Sequence, residues 1–205
     1  MSTSRSTTRA AAAARTRILD ELKDDHRRVQ KAYRQFRKLD CEQDPAACEA
    51  IVQQTLQELQ IHAALEEELL YPAARGNVAD DALVDEAEVE HESAHTLIAQ
   101  LLGTSADDPK YSARFVVLCE YVRHHVREEE GELFPQLERA RMDWETLAQQ
   151  MSDRRLELAA DPDAASAAPA DEAVPAIDDE APTTGTKSMP RGPDKPAVAA
   201  TRRTI

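Results

Sequence analysis

Four times between residues 17 and 140 the apolar side chains recur at three- and four-residue spacings, the period of a helix with one buried face. Ile18, Leu22, Val29, Tyr33 and Phe36 mark the first stripe and predict a helix over roughly 17–39. Val52, Thr55, Leu59, Leu69 and Leu70 mark a second over roughly 46–75, and Val84, Ala87, Ala94, Ile98 and Leu102 a third over roughly 80–103. Phe115, Leu118, Val122 and Leu133 mark a fourth, which starts after "DDPK" and runs to about 140. The breaks are short. Gly76 suits the left-handed position that ends the second helix, and Gly103 closes the third. Asp143 is placed to cap a shorter amphipathic piece, "WETLAQQM". Long amphipathic helices with short loops predict an all-α, up-down-up-down four-helix bundle over residues 17–160, with a short C-terminal helix.

The two ends lack this pattern. Residues 1–16, "MSTSRSTTRAAAAART", hold no acid and several arginines, as organelle-targeting segments do, but no apolar core of a secretory signal; they are read as a disordered arm. Residues 161–205 are rich in proline, alanine and charge, with almost no large apolar side chain. They are read as a disordered tail, unable to bury enough surface to offset the entropy of ordering.

The four stripes continue through ionisable residues. His26 sits between Leu22 and Val29; His62 and Glu66 follow Leu59; His91 and His95 fall between Ala87 and Ile98; His125 and Glu129 fall between Val122 and Leu133. A lone histidine on an apolar stripe is ordinarily a satisfied core residue, and an acidic run is ordinarily a solvated face. Here five histidines and two glutamates share the inward faces of four helices, near the middle of each, so antiparallel packing brings them to one depth. Buried charge is costly unless it is paired or binds a metal, so the coincidence points to metal ligation. His124 is excluded, because it lies about 100° around the helix from His125.

Imidazole and carboxylate donors without thiolate suit iron, manganese or zinc and do not suit calcium. Seven donors exceed what one ion needs, and His-x-x-x-Glu sets two donors one helical turn apart, about 6 Å along the axis. Two octahedral ions offer about twelve positions. Five imidazoles, two bridging carboxylates and one bridging oxygen leave one position open in an apolar bundle.

The second and fourth helices also repeat one another. "IHAALEEELLYP" and "HHVREEEGELFP" both place a histidine four residues before a glutamate and ten before a proline. Pro72 and Pro135 remove helix hydrogen bonds to the carbonyls of Glu68 and Gly131, so a kink or helix end is expected just past each glutamate. Tyr33, Tyr71, Tyr121 and Phe134 are either pocket-lining residues or ordinary core aromatics.

With His26, His62-x-x-x-Glu66, His91-x-x-x-His95, His125-x-x-x-Glu129 and the following "LLYP" and "ELFP", roughly residues 17–140 resemble the hemerythrin family, in its bacterial hemerythrin-like (HHE cation-binding) branch. The resemblance implies a non-haem di-iron centre, two iron ions with an oxo or hydroxo bridge. His91, His95 and His125 would hold one iron, His26 and His62 the other, and Glu66 and Glu129 would bridge. Oxygen-carrying members have an aspartate five residues after the last histidine; this chain has Glu130 there and Glu129 one position earlier, and the internal match to Glu66 favours Glu129. Ferritin-like di-iron proteins instead use mostly glutamates with Glu-x-x-His spacing. The implied function is binding of oxygen or a related small ligand at the open iron position, as a carrier or as an oxygen or iron sensor; the alternative is an enzyme acting on peroxide or nitric oxide.

Composition narrows the partners. Acids outnumber bases 39 to 25, a net charge of −14 that argues against general binding to nucleic acid or an anionic membrane. No apolar run is long enough to span a bilayer, and a cytoplasmic location is expected. The three cysteines do not form an even framework. They are read as free thiols, with a Cys41–Cys48 staple across "EQDPAA" as the alternative.

Overall fold

The computed structural model describes residues 3–161 and is all-helical over them. Helix α1 spans Thr3–Phe36; α2, Pro45–Leu65, continues through a π-helical turn at Glu66–Leu70 into α3, Tyr71–Ala74. Helix α4 spans Ala82–Leu102, and α5, Tyr111–Glu128, continues through a second π-helical turn at Glu129–Leu133 into α6, Phe134–Leu137. Helix α7, Trp144–Ala160, packs along α1 and α2.

Local chemistry explains most boundaries. Asp44 caps α2 by accepting from the Ala47 amide at 3.0 Å, and Pro45 fills a first-turn position that needs no N–H. Asp143 caps α7 by accepting from the Thr146 amide at 3.1 Å. Gly76 takes φ +72°, open to glycine, and stops the α2–α3 run as its sequence position predicts.

The first helix begins far earlier than the periodicity predicts, and this corrects the reading of residues 1–16 as an arm from Thr3 onward. The Ala10–Ala14 run has the highest helix propensity available, and Ala11 and Ala14 pack against a cluster that includes Ile18, Leu19, Trp144 and Leu147. The partner that stabilises this extension is α7, which is a full 17-residue helix where a shorter piece was expected. Arg15 also donates to the Glu138 carbonyl at 2.5 Å. The predicted tail, from residue 162 on, lies outside the described residues.

The cysteines also differ from the favoured reading. Cys41 and Cys48 form a disulfide across the α1–α2 connection, with Cα atoms 5.7 Å apart, because the Asp44 cap and Pro45 fold the loop back. Cys119 is free and buried, and desolvation pushes its thiol up to about 12, far from reactive.

After Pro72 and Pro135 the helices run only two residues further, to Ala74 and Leu137, so an end does follow each proline closely. In each case the turn before the proline widens: the Tyr71 amide bonds the Glu66 carbonyl and the Phe134 amide bonds the Glu129 carbonyl, five residues back. An extra residue in the turn removes the clash a proline would make with the carbonyl four residues earlier. Both π-helical turns begin on the glutamate of the repeated motif.

Among the described residues the core is two large apolar clusters with a polar layer between them, and a small third one where Leu158 meets Ala64. One large cluster contains Ile18, Leu22, Leu70, Leu133 and Trp144; the other contains Val29, Leu59, Ile98, Phe115 and Val122. His26, His62, Glu66, His91, His125 and Glu129 fall between these clusters on their helices, and all six are buried.

Candidate metal centre

Each helix of the bundle delivers its donors through the register that the apolar stripes set. Helix α1 supplies His26, α2 supplies His62 with Glu66 one turn on, α4 supplies His91, and α5 supplies His125 with Glu129 one turn on. The Nε2 atoms of His26 and His62 lie 3.2 Å apart, and those of His91 and His125 are also 3.2 Å apart. Glu66 Oε2 lies 3.0 Å from His62 Nε2 and 3.5 Å from His91 Nε2, so it reaches both pairs. Glu129 Oε2 lies 3.3 Å from His26 Nε2 and 3.8 Å from His125 Nε2 and reaches both pairs as well. Two groups suited to a cation result, His26–His62–Glu66–Glu129 and Glu66–His91–His125, each with donor atoms within 4.8 Å of one another. Glu66 Oε1 and Glu129 Oε2 are buried and find no hydrogen bond, as expected of lone pairs reserved for a cation.

The opposite nitrogen of every imidazole is held by an acid. His26 Nδ1 lies 2.7 Å from Glu130, His62 Nδ1 3.3 Å from Asp25, His91 Nδ1 2.7 Å from Glu67 and His125 Nδ1 2.8 Å from Glu90. A carboxylate only accepts, so each Nδ1 carries a proton and each Nε2 faces the centre. The spacing argument missed these four acids. Their signal was present, since each stands directly beside a ligand candidate, in Asp25-His26, Glu66-Glu67, Glu90-His91 and Glu129-Glu130. Those dipeptides also reveal that the two halves of the bundle repeat, with α1–α2 matching α4–α5. The arrangement distinguishes the last two acids of the motif: Glu129 joins the cluster, and Glu130, on the surface side, fixes His26.

Two positions break the repeat. His95 does not join either group. Its Nε2 lies 2.8 Å from Glu67, with the side chain 35% exposed, because Glu67 already sits between it and His91. Tyr71 stands where the other half has Phe134, and its hydroxyl is 3.4 Å from Glu66, 3.3 Å from Glu129 and 3.4 Å from His91 Nε2. Burial, then the charges of Glu129 and Glu66, raise the phenol well above its ordinary value. Phe134 stacks on His26 at 6.0 Å, Tyr33 donates to Glu120 at 2.8 Å, and Tyr121 lines a cavity on the opposite side of the donors.

Electrostatics favours a positive occupant. Burial alone would raise the Glu66 carboxyl, but the charge and hydrogen bond of His62 bring it down to about 2. The same contest, won by His91 and His95, leaves Glu67 at about 2. Burial would lower His62, yet Glu66 and Asp25 drive it up to about 10, so the imidazole holds an extra proton at neutral pH that a metal ion would displace. Asp25 is at about 2, with burial opposed by His62 and by Arg155 from α7.

Beside the donors is a cavity of about 30 Å³, lined on its apolar side by Val29, Leu59, Ile98 and Val122. That is room for a water or a diatomic molecule.

The family model described as Hemerythrin HHE cation binding domain matches residues 17–137. The chain belongs to this family. The hemerythrin-like chain is also similar to a solved hemerythrin HHE cation binding domain-containing protein of Mycobacterium kansasii, with 23% identity and a TM-score of 0.54 over 70% of this chain and 93% of that one; this likeness is one of fold. A curated protein described as a DNA nickase, from Nostoc sp. strain PCC 7120, is 31% identical over 117 residues, 57% of this chain. The hemerythrin-like chain covers only 32% of that protein's length.

Proposed function

We propose that the buried layer holds two iron ions and that the protein binds a small neutral ligand, oxygen or a related molecule, at them. The observation that carries this reading is the double orientation of the four histidines, Nε2 inward on two shared carboxylates and Nδ1 outward on four acids. His26, His62, His91, His125, Glu66 and Glu129 would hold the pair of irons, which would supply redox-active Lewis-acid chemistry there, and His95 is not among the donors. Tyr71 is a further polar group at the cluster, and its hydroxyl would be placed to hydrogen-bond a small ligand held there. The chain itself excludes water with its two apolar clusters, orients the imidazoles, and admits a ligand through the apolar cavity.

The second reading, turnover of peroxide, is favoured by one observation: the Tyr71 phenol brings a proton to the centre of the cluster. The excess of acids argues against carrying a nickase activity over to this chain.

The test is anaerobic reduction of the iron-loaded protein followed by oxygen, watched by visible absorption, with azide added to the oxidised form. A band that appears and reverses under vacuum supports ligand binding. Conversion to an oxidised form that consumes hydrogen peroxide, and loses this when Tyr71→Phe is introduced, supports the enzyme. Spectra indifferent to oxygen, azide and peroxide overturn both readings.

A further inference from the structure

The internal repeat permits a comparison of the two outer faces of the metal layer. On the α1–α2 side, the residue before the metal-facing histidine is Ile61 and the residue before the glutamate is Leu65. That side is sealed by α7. Leu158 packs on Ala64 and Ile61, Arg155 bonds Asp25, and Arg154 bonds Glu68. On the α4–α5 side, the same two positions are His124 and Glu128, whose side chains are 50% and 43% exposed. His124 Nε2 lies 3.1 Å from Glu128 Oε1 and 3.6 Å from Glu90 Oε1. The three residues can present donor atoms within 4.8 Å of one another, a third cation-sized cluster outside the buried two.

What lies behind this cluster gives it a direction. Glu90 belongs to both layers: Oε1 faces His124, and Oε2 holds His125 Nδ1 at 2.8 Å. A cleft of about 20 Å³ lies here, lined by the acids Glu86, Glu90, Glu128 and Glu129, by His125, and by the apolar Leu83, Ala87 and Leu133. Its polar lining joins the carboxylates of Glu86, Glu90 and Glu128 to His125 and Glu129 of the buried cluster. Glu129 is 3% exposed, and its Oε2 accepts no hydrogen bond. The cavity on the other side of the donors is also bordered by Asp25 and Glu90, but its accessible wall is chiefly apolar, with Leu59, Ile98 and Val122, which suits a neutral molecule and penalises a cation that must shed water.

We propose that Glu90, His124 and Glu128 form an acquisition site for a divalent first-row cation, ferrous iron in function, and that the α4–α5 cleft passes the ion inward to the buried centre. Imidazole with carboxylates suits such cations, and the acidic surface concentrates them. Metal and small ligand thus enter by different doors, one carrying the carboxylates of Glu86, Glu90 and Glu128 and one chiefly apolar. The proposal rests on the reading of the buried layer as a metal centre.

The experiment follows anaerobic uptake of ferrous iron by the full-length apoprotein in stopped flow, together with a cobalt(II) titration, for the wild type, His124→Ala, and His124→Ala with Glu128→Gln. Glu90 is left intact because it positions His125. The wild type is expected to bind one weaker cobalt equivalent beyond the buried ones, and both variants to lose it. Iron uptake is expected to slow about tenfold or more in the variants, the order by which a lost supporting group weakens a metal site, with final iron content, absorption and the rate of azide binding unchanged. His124→Ala removes no negative charge, so its slowing separates coordination from simple attraction. Variants that load as fast as wild type overturn the relay alone. Variants that lose final iron as well show a structural role for these residues and also overturn it. A wild type that takes up no metal overturns both this proposal and the reading on which it rests.

Discussion

Replacement of Arg155 by alanine tests whether α7, outside the four helices that carry the donors, is part of the metal centre. Arg155 donates to Asp25 through both terminal nitrogens, at 3.2 and 2.7 Å, and Asp25 in turn accepts from His62 Nδ1 at 3.3 Å. Asp25 is 3% exposed and keeps only Arg28 and His62 once Arg155 is gone. A hydrogen bond to a charged group contributes about 1.5–3 kcal/mol net. The Arg155 side chain is 29% exposed, so solvent screens part of this and the lower end applies, about 1.5–2 kcal/mol for the pair of bonds. For a domain of this size that corresponds to a fall in Tm of roughly 4–6 °C. The dependence on pH is the sharper check. Asp25 is depressed from 3.8 to about 2, so its contribution is present above pH 3.8 and is lost as pH falls through 2. The gap between wild type and Arg155→Ala in urea unfolding of the apoprotein is therefore constant near neutrality and closes between pH 4 and 2. Loosening of Asp25 also frees the His62 ring, so metal affinity should drop about 10–100-fold. A gap under about 0.5 kcal/mol, or one unchanged at pH 2, refutes the claim that Arg155 acts through Asp25.

Three further outcomes follow from the same geometry. Metal analysis should give about two irons per chain; His125→Ala should lose iron while His95→Ala retains it, and the reverse ranking, or one tightly held zinc in place of iron, would refute the ligand set drawn from the two groups. Because Glu66 and Asp25 hold His62 at about 10, metal binding at pH 7 should release at least about one proton per chain, and apparent affinity should rise with pH up to about 10; calorimetry in buffers of different ionisation heat measures this, and zero release contradicts it. Reduction of Cys41–Cys48, a loop of seven-residue separation, should lower stability by about 2–3 kcal/mol without loss of iron, as read from denaturant midpoints with and without reductant. Iron lost on reduction would mean that the loop supports the centre.

The metal layer was legible in the sequence because helical period is a local property: His26, His62, Glu66, His91, His125 and Glu129 sit where the apolar stripe requires an inward side chain, and all six are buried. The four supporting acids were equally present as neighbours of those residues, but adjacency on a helix turns a side chain by about 100°, and only packing against the next helix gives that direction a partner. His95 shows the converse. Period alone turned it inward with His91, and the competing bond to Glu67, from another helix, took it out of the cluster. The N-terminal extension of α1, the length of α7 and the disulfide each had a local signal that was not sufficient without further contacts. The alanines of residues 10–14 need α7 to cover them, and Cys48 reaches Cys41 only once Asp44 and Pro45 have turned the chain. Local sequence set which faces the helices bury; long-range packing decided which buried groups meet, because a donor's partner lies on a different helix.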